Sequence, residues 1–141
     1  MYKKILLPTD GSGYAEDEVE RATNLLEEGG EIIILSVAGK LTSSAFQSRS
    51  KVKQKNRELY KEAEDAVASM KKRFDDGVNV KTMVVVGFAS DQIINVAERE
   101  KADLIIISSS GKSGLHRFIL GSVTEEVLKS ADIDVLLVHN K

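Results

Sequence analysis

No cysteine occurs in the 141 residues, which excludes disulfides, thiolate metal sites and a cysteine nucleophile. Histidine is almost as scarce. His116 and His139 stand far apart in the chain, too few for a zinc site built on imidazoles. No apolar run approaches the roughly 20 residues needed to cross a membrane. Ile5-Leu6-Leu7, behind Met1-Tyr2-Lys3-Lys4, falls short of the roughly 7–15-residue core of a signal peptide. A basic excess is missing too: the net charge is −2, whereas a domain that grips nucleic-acid phosphates carries a positive surplus. The expectation is a soluble cytoplasmic protein with neither a membrane nor a nucleic-acid partner. At 42% hydrophobic residues it can bury a real core, and its length fits a single domain over 1–141.

Five short runs rich in Ile, Val and Leu are present: Lys4–Pro8, Glu31–Val37, Val78–Val86, Leu104–Ile107 and Val135–Val138. Most are continuous, as expected of strands covered by helices on both faces of a parallel sheet. Val78–Val86 partly alternates and is placed nearer an edge. Between the runs the period is helical. Ala15, Val19, Ala22 and Leu26 form one stripe, which Gly29-Gly30 is expected to end. Leu59, Ala63, Ala66, Val67, Met70 and Phe74 form a second. Ile93, Ile94 and Ala97 form a third, with Ser90 as its expected cap. Val123, Val127 and Leu128 form a fourth behind Ser122. The order β-α-β-α-β-α-β-α-β predicts an α/β fold, an open twisted sheet of five parallel strands joined by right-handed crossovers. The Ser-, Lys-, Gln- and Arg-rich stretch from Gly39 to about Lys55 reads as a loop.

Ligands of such sheets bind outside the carboxyl ends of the strands, where strand order reverses. The segment Ser108-Ser109-Ser110-Gly111-Lys112-Ser113-Gly114, followed by Gly121-Ser122 and a helix, lies at such an end. Ser122 with Glu125 has the spacing of a capping box, and a helix N-terminus suits phosphate. Lys112, His116 and Arg117 add polar and cationic groups nearby. On these residues alone, the glycines equally suit a surface loop and a helix cap. A P-loop is excluded, because Ile106 stands where its first glycine belongs. A dinucleotide fingerprint is excluded as well. Glu16 replaces the third glycine after Gly11 and Gly13, and Ser36-Val37-Ala38 supplies no acid for a ribose. Asp10, at the end of the first strand, is either a turn residue or a carboxylate aimed into the crevice. The cations Arg49, Lys51, Lys53, Lys55 and Arg57 read as a solvated face.

Along nearly its whole length the chain resembles the universal stress protein family. Lys4-Ile5-Leu6-Leu7-Pro8-Thr9-Asp10-Gly11-Ser12 is similar to that family's first strand and turn. Val84-Val85-Val86-Gly87 and Ala102-Asp103-Leu104-Ile105-Ile106-Ile107 are similar to its third and fourth strands. Gly111, nine residues and Gly121-Ser122 match the loop of the ATP-binding branch, within Gly114-Leu115 and Leu120-Gly121-Ser122-Val123. The resemblance implies a three-layer fold with sheet order 3-2-1-4-5 and helices on both faces. It implies dimerisation through Val135–Val138.

It also implies that ATP is bound, with magnesium or manganese carried on its phosphates. Asp10 and the backbone of Val37 would meet the adenine, and Ile107 and Ser108 the ribose, with Thr9 among the nucleotide-binding residues. Gly114 belongs to the same loop. The N–H groups of Gly111, Gly121, Ser122 and Val123, with the Ser122 hydroxyl, would hold the phosphates.

The pattern's first glycine is Ser108 here. Were a left-handed backbone required there, serine would cost about 1–2 kcal/mol and weaken binding about tenfold. Ala89 replaces a proline common among relatives. The expected function is nucleotide-dependent regulation. No catalytic base or acidic metal pair is evident, so ATP hydrolysis is at most slow. The alternative is a dimerisation or partner-docking module without nucleotide. An adenylate-transferring enzyme would need a motif that the chain lacks.

Overall fold

The computed structural model describes residues 1–12, 15–42, 48–109 and 121–139. Within them the chain runs β1 (Tyr2–Pro8), α1 (Ala15–Leu25), β2 (Leu26–Ala38), α2 (Arg49–Lys71), β3 (Asn79–Val86), α3 (Ala89–Glu100), β4 (Leu104–Ser108), α4 (Ser122–Ser130) and β5 (Asp134–Val138). All strand pairs are parallel, in the order β3-β2-β1-β4-β5. β3, the partly alternating run, does lie at an edge.

Alternation along the strands sorts the core into two layers. Ile5, Leu7, Ile32, Ile34, Leu104 and Ile106 pack with Val19 and Ala22 of α1 and Val67 and Met70 of α2. Leu6, Ile33, Leu35, Ile105 and Ile107 pack with Ile93 and Val96 of α3 and Val127 of α4. Helices therefore cover both faces, which is why the central strands are continuous in apolar residues.

Two adjoining features shape the middle of the sheet. Opposite Lys3 and Lys4, Asp103 acts as a clamp. Its carboxylate accepts from the Lys3 N–H at 3.0 Å and the Lys4 N–H at 2.9 Å, and its own N–H donates to the Lys4 carbonyl at 2.9 Å. Above the clamp β1 and β4 pair at Ile5–Leu104 and Leu6–Ile105. The other pairings continue further, to Pro8–Leu35 and to Ser108–Val138. Beyond Leu6 and Ile105 the two central strands part. The strand order also reverses between them, the position at which open α/β sheets carry their ligand crevice, with Thr9-Asp10 and Ser108-Ser109 at the two strand ends.

Several local expectations are corrected. Gly29-Gly30 does not end the first helix. α1 stops at Leu25, and the register jumps from Tyr2–Leu26 to Lys4–Glu31. The extra residues of β2 form a bulge, which needs Gly29 at φ 79. Leu26 thus opens a strand rather than closing a helical stripe. Ser90 lies inside the first turn of α3, whose N-cap is Phe88 without a side-chain cap bond. α2 already begins at Arg49, with Ser48 accepting from the Lys51 N–H at 3.2 Å. The irregular stretch after Gly39 is accordingly shorter than expected, and its residues 43–47 lie outside the described ones.

Two substitutions test this frame. A Cβ at Gly30 would lie 2.8 Å from the Lys3 carbonyl oxygen and 2.7 Å from a Leu26 methyl. Gly30→Ala should therefore lower stability by about 1–3 kcal/mol in chemical denaturation. Asp103→Ala strands two strand N–H groups and should cost about 1–3 kcal/mol in the same measurement.

Candidate functional site

One wall of the crevice is the turn after β1. The Thr9 N–H donates to the Leu35 carbonyl at 2.8 Å, holding the chain to β2 past the end of the strand. Gly11 then takes φ 84, a left-handed angle that glycine adopts without penalty. Its N–H reaches Thr9 Oγ1 at 3.2 Å, and the Ser12 N–H reaches Asp10 Oδ1 at 2.9 Å. Of the two roles read from the sequence for Asp10, the turn role is the one seen here. Asp10 closes an Asx turn, and that bond fixes an exposed carboxylate at the mouth of the crevice. Beside this turn, a cavity of about 350 Å³ extends to Glu62, Asp65 and Ser69 of α2. Of the predicted site residues, Thr9 and Asp10 line it.

The other wall is the end of β4 with the start of α4. The Ser109 N–H donates to the Val138 carbonyl at 2.9 Å, continuing the β4–β5 ladder. The Gly121 N–H donates to the Ser109 carbonyl at 3.1 Å, and Thr124 Oγ1 donates to the Ser108 carbonyl at 2.9 Å. These bonds seat the N-terminus of α4 on the tip of β4. The N-cap is Gly121, not Ser122, and no side chain caps the helix. The expected capping box is not formed: Glu125 pairs with Lys129 at 3.1 Å instead. Because the Gly121 N–H is engaged with Ser109, the donors of this wall are the N–H groups of Ser122 and Val123. They stand in the first turn, where helical N–H groups lack an intrahelical acceptor. The Ser122 side chain is exposed beside them.

Val37 is half-buried near the carboxyl end of β2, and Ile107 is buried one residue from the end of β4. Gly111 and Gly114, with Lys112, His116 and Arg117, lie outside the described residues. Arg49, Lys51, Lys53, Lys55 and Arg57 are exposed along the first half of α2, as a solvated face requires.

Ser108 closes β4 in extended conformation. Lys101 is the only non-glycine residue with a positive φ among the described residues. The left-handed penalty considered for serine here does not arise, and only its hydroxymethyl group distinguishes it from glycine. Alternation along β4 places that group on the face of Leu104 and Ile106, toward α1. There it hydrogen-bonds Glu18.

Sequence reasoning missed Glu18. It lies three residues after Ala15 and four before Ala22, on the apolar stripe of α1, and a carboxylate on that stripe was the available signal. It is 4% exposed. Burial pushes its carboxyl up to about 8, opposed by the Ser108 hydrogen bond and reinforced by the negative charges of Asp10 and Asp17. At neutral pH it keeps its proton. No group of three or more His, Cys, Asp and Glu side chains placed to hold a metal occurs among the described residues.

The family model of the universal stress protein family matches residues 1–139. Universal stress protein MJ0577 of Methanocaldococcus jannaschii is 35% identical over 161 aligned positions, which cover all of this chain and 97% of that protein. The solved structure of MJ0577 superposes with a TM-score of 0.80, covering 100% of this chain and 98% of that one. The universal stress protein UspA of Lactobacillus plantarum gives a TM-score of 0.79 at 26% identity, with 97% of each chain covered. A universal stress protein solved in complex with cAMP shares the fold at 24% identity and a TM-score of 0.59, over 98% of this chain and 97% of that one. The chain belongs to the universal stress protein family.

Proposed function

We propose that this protein binds an adenine nucleotide, ATP in the first instance, between Asp10 and the first turn of α4, and that occupancy regulates what the protein contacts. The observation that carries this reading is the parting of β1 and β4 beyond Leu6 and Ile105, with α4 docked by its N-terminus on the tip of β4. A strand-order reversal flanked by the first-turn N–H groups of a helix, which have no intrahelical acceptor, has the chemistry of a phosphate seat. A family member of the same fold has been solved with cAMP, which supports an adenine ligand.

In this reading Thr9, Asp10 and Val37 meet the base, and Ile107 with the backbone of Ser108 meets the ribose. The Ser122 and Val123 N–H groups and the Ser122 hydroxyl take the phosphates, joined by the loop that contains Gly111 and Gly114. Magnesium or manganese is carried by the phosphates themselves. Hydrolysis is slow, since positioned charge and metal are what accelerate phosphoryl transfer. The protein pairs as a cytoplasmic homodimer through β5, whose Val135, Leu136 and Leu137 are only half-buried at the sheet edge. The alternative, a nucleotide-free docking module, rests on Ser108 in place of the pattern's first glycine; the extended backbone at that residue leaves only its hydroxymethyl group to argue for it.

Denaturing freshly purified protein should release an adenine nucleotide stoichiometric with the chain, identified by chromatography and mass spectrometry. If none is released, titration with millimolar magnesium-ATP should still saturate the site; failure of both would sink the proposal. Ser122→Ala should weaken ATP binding about tenfold or more, the loss of one hydrogen bond to a charged group. It should leave the melting temperature unchanged, because Ser122 does not cap α4.

A further inference from the structure

Glu18 occupies a seat that physical chemistry disfavours for a carboxylate. It lies in the core layer between α1 and the sheet. Among the described residues, the groups acting on it are Ser108 from β4, Asp10 from the turn after β1, and Asp17 from its own helix. The first is a neutral hydroxyl and the other two are acids. Among the described residues, no opposite charge acts on an ionised carboxylate there to offset its desolvation. A protonated one does not need any.

Ser108 stands where the ATP-binding pattern begins with glycine, and its hydroxymethyl group must be accommodated on one side of β4. It is turned toward α1 and bonded to Glu18, away from the Ile107 face. The Ser108 carbonyl is meanwhile the acceptor that anchors α4 through Thr124. One residue thus links the buried acid to the wall that would hold phosphate. Ionising Glu18 would put a second negative charge behind Asp10, at the mouth of a site meant for a polyanion, and would drive the side chain out of its seat.

We infer that Glu18 is a proton-carrying positioning residue of the crevice, which holds Ser108 against α1 and couples ligand occupancy to proton binding. This rests on the nucleotide reading given above. The sign follows from the chemistry. A bound anion favours the neutral form of a nearby acid, so the bound state retains the proton more tightly. Affinity is therefore full at neutral pH and is lost as pH rises through the range near 8 in which Glu18 ionises.

The test is the affinity for ATP, measured by calorimetry from pH 7 to pH 9.5 on the full chain and on Glu18→Gln. Glutamine keeps the shape and hydrogen bonding of the protonated acid and cannot ionise. Titration of ATP itself is common to both proteins, so the difference between their profiles isolates Glu18. The wild type should lose about tenfold in affinity across the range, equivalent to a shift of about one pKa unit on binding. Glu18→Gln should hold its pH 7 affinity throughout. Near pH 8, buffers of different ionisation enthalpy should reveal proton uptake on binding by the wild type and none by Glu18→Gln. Ser108→Ala removes the bond that favours the ionised acid, so its profile should move to higher pH, a shift that a purely structural role would not produce. Identical profiles for wild type and Glu18→Gln would overturn this inference and leave the nucleotide reading standing. Absence of ATP binding by either protein at every pH would overturn both.

Discussion

β1 lies at the centre of the sheet, and its two sides are treated unequally. Toward β2 it is paired as far as Pro8, and Thr9 extends the hold. Toward β4 the pairing ends at Leu6. Asp103 fastens the amino-terminal ends of the two strands with three hydrogen bonds, so the strands can separate at the other end without coming apart. A strand end freed from a neighbour leaves backbone groups to be satisfied. Here Thr124 at the start of α4 takes up the Ser108 carbonyl at the end of β4, and the turn at Thr9–Ser12 satisfies its own N–H groups through the Thr9 and Asp10 side chains. The crevice exists because the sheet is closed at one end and open at the other, and every element of the candidate site is placed by that asymmetry.

Much of this architecture was legible in the chain because two periods dominate it. Continuous runs such as Ile32–Leu35 announce strands covered on both faces, and stripes such as Ala63, Val67 and Met70 announce helices that do the covering. Strand order came from resemblance, because periodicity alone does not say which strands are neighbours. Punctuation was read less well. Gly29-Gly30 has the composition of a helix stop but serves a bulge, and Ser90 and Ser122 have the chemistry of caps but stand one or two positions inside their helices. Capping depends on where the chain leaves helical geometry, and that is settled by the packing of the preceding loop rather than by the hydroxyl.

The site was legible where it is made of backbone and illegible where it is made of a partnership. Asp10 and the Ser122 region follow from the topology, since strand ends and helix starts are where such groups must be. Glu18 does not. On paper it is one acid among Glu16, Asp17 and Glu18 in the first turn of α1, and its difference from the other two is a matter of which side of the helix faces β4. Ser108 looked like a defect in a glycine pattern for the same reason. The two residues explain each other only when they are seen together: the serine has room because an acid is there to receive it, and the acid is tolerable because it keeps its proton.

The bulge at Leu26–Gly30 has a consequence for the uniqueness of the fold. Ile32, Ile33, Ile34 and Leu35 are all buried, two on each face of the sheet. Sliding this strand by one position against β1 would exchange its faces and yet present nearly the same apolar surface to both helical layers. In a strand with one wet face, hydrophobicity forbids such slippage; in this one it hardly penalises it. The selection of a single alignment therefore falls to steric contact. Gly30 is the residue that passes the Lys3 carbonyl within a distance no side chain allows, so a slipped strand would bring Glu31 or Gly29 to that spot. Glu31 cannot fit there, and Gly29 would have to give up the left-handed angle that shapes the bulge. A missing Cβ thus acts as an alignment key for the most uniform stretch of the chain.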